Sequence, residues 1–473
     1  MTFRELSLLH IVMMTPTRMT TKKNIFILAV LVLSISLMTG TSSTAEDDPR
    51  IPKTIPGDLE GKWYGIHYPG PIKKEDIYFN DRNGGEAFPN QTIIDSWGYK
   101  AKPIEEIKDL IPEFYYTICS NPDIWTPIRI NETALIPFDQ WPPGFIKAKT
   151  EASEKYKGQA SLDEKGHLRN YKAGWPFPKD STNPVEQAWN YSSPELVGQE
   201  LVSQFYSGVV DKKGSMRAAA AEQNYLWWRG RLIGDSKYIP EITPNPNNYW
   251  WFQTMAFKYP YDLQGVVSLT HRYDDPDKDD DQWMYLPVLR RIRRMSTAQR
   301  WDKLPGGQDL TWEDSTGFAG KVTNYEWKIL GRKVLLCSRQ AKPDIQEVKG
   351  KPGGTPDQLY QRVNVLILEY IPKPKMLSSV SRVVMYLDPD TYYCYYNEEY
   401  DRRGRPYLFH NHCWAVSKEA TLYPGGFLVA DLQRTHSSSN YLFNDMANQS
   451  AIEYGIEPSY FGMERLKKKF GAR

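Results

Sequence analysis

YPYDLQGVVSLTHRYDDPDKDDDQWMYLPVLRRIRRM, residues 259–295, is the stretch that decides the fold. Apolar and aromatic residues alternate up to Tyr273, six aspartates follow between Asp274 and Asp281, and Trp283 and Tyr285 restart a period-two pattern that Pro287 ends. Alternation with period two places successive side chains on opposite faces of a strand, and the acidic and proline-bearing breaks read as turns. The segment is strand, acidic turn, strand, turn, strand. It holds no nucleophile with its base, no phosphate-cradling glycine loop and no obvious metal cage, so it is built to present a surface rather than to perform chemistry.

The same signal continues on both sides. Tyr249-Trp250-Trp251-Phe252, Gly265 to Leu269, Tyr325-Glu326-Trp327, Val363 to Leu368 and Ser381 to Leu387 all read as strands. Asp388-Pro389-Asp390-Thr391 and Tyr400 to Arg405 have turn composition, with Tyr392 to Tyr396 as the strand between them. Long strands joined by tight turns make an antiparallel meander with one buried and one wet face. Upstream, Ile104, Ile107 and Ile111 stand at helical spacing behind Pro103 and predict an amphipathic helix to about Ser120. Asp163 to Gly166 reads as a hairpin turn, and Asn170 to Pro178 as an aromatic, proline-rich loop. Pro194 to Tyr206 offers a second helix, with Leu196, Leu201, Val202 and Phe205 on one side. The fold class expected is α+β, β-dominated.

Composition agrees with extended sheet. The 473 residues include 31 Tyr and 15 Trp, residues that suit sheet surfaces and apolar grooves. With 59 basic against 57 acidic side chains there is no global field to hold a nucleic acid or an anionic bilayer. Lys22 and Lys23, the apolar run Ile25 to Met38 and the small residues Thr39 to Ala45 have the order of a secretory signal, so residues 1–45 read as a leader whose true start is Met19 or Met14. The run is short for a span of roughly 20 residues. No cysteine precedes Cys119, which excludes a lipidated N-terminal cysteine, and no other apolar run approaches membrane-spanning length, so the exported, mature protein is expected to be soluble. An extended arm is expected over 46–99, a half-barrel domain over 100–434 and an extension over 435–473.

Cys119, Cys337, Cys394 and Cys413 lie far apart; export permits one or two disulfides, and spacing leaves three pairings open. His410-x-His412-Cys413 comes nearest to a metal cluster, but on a strand the two histidines share a face and the cysteine points away, which favours ordinary packing. Asp277 to Asp281 has the opening spacing of a calcium loop without its glycine or late glutamate, and reads as a solvated acidic turn. No metal and no cofactor are expected.

Trp283-Met284-Tyr285-Leu286-Pro287 followed by Arg290-Arg291-Ile292-Arg293-Arg294 resembles the hallmark of the periplasmic domain-of-unknown-function family 1329, often labelled outer-membrane lipoprotein-sorting protein. Asn170-Tyr171 through Phe177-Pro178, Gly320 to Lys333, Tyr386 to Thr391 and Asp401 to Gly404 extend the likeness, in order, over most of residues 100–420. The resemblance implies a fold similar to the LolA and LolB lipoprotein carriers, a strongly curved, unclosed antiparallel β-barrel with helices against its concave face. It further implies a periplasmic shuttle for lipids or other hydrophobic molecules, working beside a resistance-nodulation-division type exporter and an outer-membrane protein, with only peripheral membrane contact. Residues Trp189 to Arg231 depart from the family, which has a plain strand where the residues here read as a helix.

The residues support the same function independently. Burying each methylene of an acyl chain in an apolar groove contributes about 0.8 kcal/mol. Trp283, Tyr285, Tyr171, Trp175 and Phe177 are the candidate groove or rim residues, and Ile104, Ile107 and Ile111 a candidate lid. Arg291 and Arg293 share one strand face and could clamp an anionic head group, or simply pair with Asp274 to Asp281. No G-x-S-x-G or H-E-x-x-H occurs, so an enzyme is not expected. An exported hydrolase and an outer-membrane assembly subunit are the alternatives.

Overall fold

The alternating segments pair into one sheet. The computed structural model describes residues 87–88, 102–126, 129–132, 145–193, 199–232, 236–339, 351–353, 357–416, 422–443 and 456–470. The leader expected at 1–45, and the arm expected at 46–99 apart from Ala87–Phe88, lie outside them. Among the described residues fourteen strands form the sheet: β1 (Arg129–Glu132), β2 (Glu200–Val210), β3 (Met216–Trp227), β4 (Tyr249–Tyr259), β5 (Val267–Tyr273), β6 (Asp281–Leu286), β7 (Arg291–Arg294), β8 (Tyr325–Cys337), β9 (Asp357–Pro372), β10 (Val380–Leu387), β11 (Cys394–Asp401), β12 (Pro406–Val416), β13 (Leu422–Asp431) and β14 (His436–Phe443). Their order is β7-β6-β5-β4-β3-β2-β14-β13-β12-β11-β10-β9-β8, with β1 added beside β9. All neighbours on that path are antiparallel, and β1 alone is parallel. Two meanders thus meet where β2 pairs with β14.

Three consecutive residues show that this sheet is curled. In a flat sheet β5 and β8, ten steps apart in the order, would stand ~48 Å from each other. Yet Arg272 on β5 donates to the carbonyls of Ala319 and Gly320 at 2.8 and 3.0 Å, while Phe318 stands edge-on to Trp327 on β8 with ring centres 5.0 Å apart. Residues 318–320 can bridge about 10 Å at most. Among the described residues no pairing joins β7 to β8, so the curl stays open as the family likeness implies.

The inner face is filled by residues 301–324, which thread from β7 to β8, and by one helix. That helix (Pro184–Ser192) begins where Asn183 accepts the Val185 N–H at 3.0 Å ahead of Pro184, a capped start. Elsewhere α1 (Glu113–Cys119) follows a 3-10 turn at Ile104–Leu110, α2 (Phe145–Lys155) precedes the small hairpin of Ser161–Leu162 with Leu168–Arg169, the inner helix is α3, and α4 (Met463–Phe470) ends the described chain. Leu466 of α4 and the preceding Phe461 are buried on the outer face, over Leu226, Phe252 and Tyr285.

Two expectations need correction. Residues 200–210 are not a helix but strand β2, paired residue by residue with β3 from Glu200↔Leu226 to Val210↔Met216 and flanked on its other side by β14. The apolar spacing that suggested a helix loses to ladders on both sides, since tertiary pairing overrides local propensity. The likeness to a family with a plain strand was the better guide. In the lid segment, Ile107 and Ile111 are buried core residues, and the helix they lead into lies on the wrong face. Tyr115 of α1 stacks on Phe409 at 5.2 Å, whereas the adjacent His410 faces the inner segment. Neighbours on a strand point oppositely, so α1 covers the outer side. The sheet also takes in His436–Phe443, beyond the boundary expected at 434.

Both edges of the curl are basic. Arg291, Arg293 and Arg294 are exposed on β7, and Lys328, Arg332 and Lys333 on β8. Charged edge strands resist pairing with another chain.

Candidate functional site

Inside the curl an open, aromatic-lined cleft lies between β3–β5, α3 and residues 318–322. Its floor is a set of tryptophans from two paired strands. Trp227 on β3 is paired with Trp251 on β4, the two rings meeting edge to face at 6.3 Å. The β4–β5 register slips between Tyr249 and Trp251, so Trp250 is an extra residue. A bulge of this kind re-aims a side chain. Trp250 and Trp251 consequently pack in the same cluster, together with Trp227, although they are adjacent in sequence. Trp189 of α3 and Phe318 supply the facing wall.

Polar groups are few and placed. Tyr225 receives donors from Gln253 at 2.6 Å and Gln223 at 3.0 Å. The Trp227 Nε1–H is buried with no hydrogen-bond partner among the described residues. Arg272 lies over the Trp251 ring at 4.6 Å, a cation–π contact, and holds the wall segment through its two carbonyl bonds. Its counter-charge is Asp280, bound at 2.8 and 3.0 Å and flanked by Lys321 at 3.4 Å and Arg300 at 3.7 Å. Burial pushes the Asp280 carboxyl up, but these three cations overcome it and hold it down at about 2. Arg300 also donates to Glu313 at 2.5 Å and to the Trp312 and Ala319 carbonyls. The wall of the cleft is fastened by buried, hydrogen-bonded charge.

None of the residues expected at the groove lines this cleft. Tyr171 comes nearest, its ring 5.5 Å from that of Trp250. Trp175 is buried beneath Lys179 and Lys149, while the Phe177 N–H donates to the Asn190 side-chain Oδ1 of α3 and the Phe177 carbonyl accepts from Asn190 Nδ2. Trp283 and Tyr285 are on the outer face, in the cluster under α4. Arg291 and Arg293 share the face of their partners Leu286 and Met284, but at the exposed edge of the sheet. Arg294 pairs with Asp281. The acidic turn is largely used up by such pairs: Asp277 binds Lys165, Asp280 sits in its cage and Asp281 accepts from Tyr273 at 2.7 Å. All four cysteines are buried, and among the described residues no disulfide joins them. The adjacent tryptophans Trp250-Trp251 were the signal that could have located the site, because a doublet on a strand sends its two indoles to opposite faces unless the strand bulges.

The profile of a family described as "Protein of unknown function (DUF1329)" matches residues 143–467. Among solved structures, an outer membrane lipoprotein-sorting protein domain from Vibrio parahaemolyticus is similar at 18% identity, covering 60% of this chain and 97% of that one with a TM-score of 0.42. A DUF1329 family protein from Desulfovibrio piger has 18% identity, 60% and 100% coverage and a TM-score of 0.41. A LolA superfamily protein from Nitrosomonas europaea has 10% identity, 52% and 85% coverage and a TM-score of 0.33. Among curated proteins none matches this chain.

Proposed function

The chain belongs to the DUF1329 family, and from that premise we propose that it is a periplasmic carrier that shelters the apolar part of a lipid or similar hydrophobic molecule in the tryptophan-lined cleft. The observation that carries the reading is the cleft itself: indoles of Trp189, Trp227, Trp250 and Trp251 with Phe318 form its walls, inside a sheet whose edges do not join. Mostly apolar lining with a few fixed polar groups suits an apolar guest held in one orientation. In this reading the Trp227 N–H and the Gln253–Tyr225 pair would meet a carbonyl or hydroxyl at the guest's polar end. Among the described residues no helix is long and apolar enough to cross a membrane. Delivery to an outer-membrane partner or from an exporter belongs to the same proposal and rests on family likeness.

Two measurements test it. Organic extraction of protein purified from the cell envelope should yield a bound lipid, and titration with a long-chain fatty acid should change the tryptophan fluorescence in wild type but much less in Trp251→Leu. A protein that carries no extractable guest and shows no saturable response to acyl chains would refute the carrier reading.

A further inference from the structure

Away from the cleft lining, the inner face buries a second cluster that the packing does not explain. Asp314 belongs to the threaded inner segment, Glu399 to β11 and His410 to β12, and all three side chains are fully buried. Asp314 Oδ2, both Glu399 oxygens and both His410 ring nitrogens lack a hydrogen-bond partner among the described residues. Buried polar atoms are overwhelmingly paired, and here the 3.1 Å approach of His410 Nε2 to Glu399 Oε1 leaves Asp314 Oδ2, Glu399 Oε2 and His410 Nδ1 still to account for.

We propose that Asp314, Glu399 and His410 form a structural binding site for one divalent transition-metal ion of the zinc or manganese class. Two carboxylates and one divalent ion sum to zero charge, the condition under which such a group tolerates full burial. The geometry agrees. One ligand atom from each residue lies within 4.8 Å of the others. The His410 Nε2 is 3.1 Å from Glu399 Oε1 and 3.9 Å from Asp314 Oδ2. Ligands about 2.0–2.1 Å from a tetrahedral ion are separated by about 3.3 Å, between those two distances. Asp314 is already oriented, because its other oxygen accepts the Thr311 N–H at 2.7 Å, the kind of outer bond that fixes metal ligands. His412, on the same strand face, places its Nδ1 3.1 Å from the Cys394 carbonyl and leaves Nε2 unpartnered. A proton on Nδ1 makes Nε2 a lone-pair donor, and its ring centre is 5.8 Å from that of His410. A mixed nitrogen and carboxylate set suits zinc or manganese better than calcium, which takes oxygen ligands. The ion would pin the inner segment, four residues before the cleft wall begins at Phe318, to the centre of the sheet.

The full chain, unfolded in denaturant, is refolded with EDTA, with ZnCl2 or with MnCl2, freed of excess metal by gel filtration, and measured for metal content and melting temperature. Wild type is expected to retain one ion per chain and to melt at least 5 °C higher with it. The near-isosteric Asp314→Asn and Glu399→Gln should fold, retain less than a tenth of an ion and melt alike with or without metal. His436→Asn, remote from the trio, should retain the ion. Folded wild type holding less than a tenth of an ion under every condition, or Glu399→Gln binding as well as wild type, would overturn the site. Lipid extraction is a separate readout, so the carrier reading and the metal site can fail independently.

Discussion

Replacing Asp280 by Asn removes the charge at the centre of the cage while keeping the side chain's shape, and so imitates protonation of that carboxyl. The folded carboxyl is held at about 2, against about 3.9 for an unperturbed aspartate. A depressed carboxyl contributes stability that is present above the unfolded value and is lost as pH falls through the folded one. The difference corresponds to about 2.5 kcal/mol at pH 7, of the same order as the 3–5 kcal/mol that follows when one partner of a buried ion pair is removed. Asp280→Asn should therefore lower the unfolding free energy in urea by about 2.5 kcal/mol at pH 7, and the gap to wild type should shrink to roughly half by pH 3. Because Arg272 and Lys321 hold the cleft wall, acyl-chain affinity should fall in parallel. A loss under about 1 kcal/mol at pH 7, or a gap that stays constant down to pH 3, would refute the reasoning that the cage fastens the wall.

The other expectations are more local. Trp251→Leu keeps an apolar side chain but removes the indole under Arg272, and should weaken binding of a fatty acid about tenfold, roughly 1.4 kcal/mol, in a fluorescence titration. Leu466→Ala empties a fully buried position under α4 and should cost about 2–5 kcal/mol in urea unfolding, with the cleft still able to bind. Arg291→Gln with Arg293→Gln alters only exposed edge positions, and should change stability by no more than about 0.5 kcal/mol and leave fatty-acid affinity intact. A selective loss for anionic guests would restore the head-group clamp. The four buried thiols should resist a thiol reagent in the native protein and all react on unfolding.

Strand identity was readable wherever period two and turn chemistry agreed, as in residues 259–295 and 381–405, because those signals are local. Face assignment was not. Trp283 and Tyr285 were placed inward, yet their pairing with Leu269 and Val267 puts them under a C-terminal helix whose docking no local pattern announces. A shift of one residue reverses every such assignment. The bulge at Trp250 had the opposite effect, bringing an indole to the inner face that strict alternation would send outward. The acidic run looked like a solvated turn, and only the return of residues 319–321 beside Arg272 makes Asp280 a buried counter-ion. Similarly, His410 and His412 gave half of a cluster in sequence, while Asp314 lies almost a hundred residues before His410 and Glu399 lies on the preceding strand. Contacts of that range are topological, and residue spacing does not encode them.

The basic residues on β7 and β8 bear on how the interior can respond to what enters it. A closed barrel has its bore fixed by strand number and stagger. A hoop with a gap has no such rule, and here residues 318–320 set the distance across it, tied to β5 through Arg272 and to β8 through Phe318. Like charge at the two free rims opposes annealing of the gap. The bore is thus held by a short crosspiece rather than by ring closure, and a substitution that loosens the crosspiece should alter the whole interior instead of one wall.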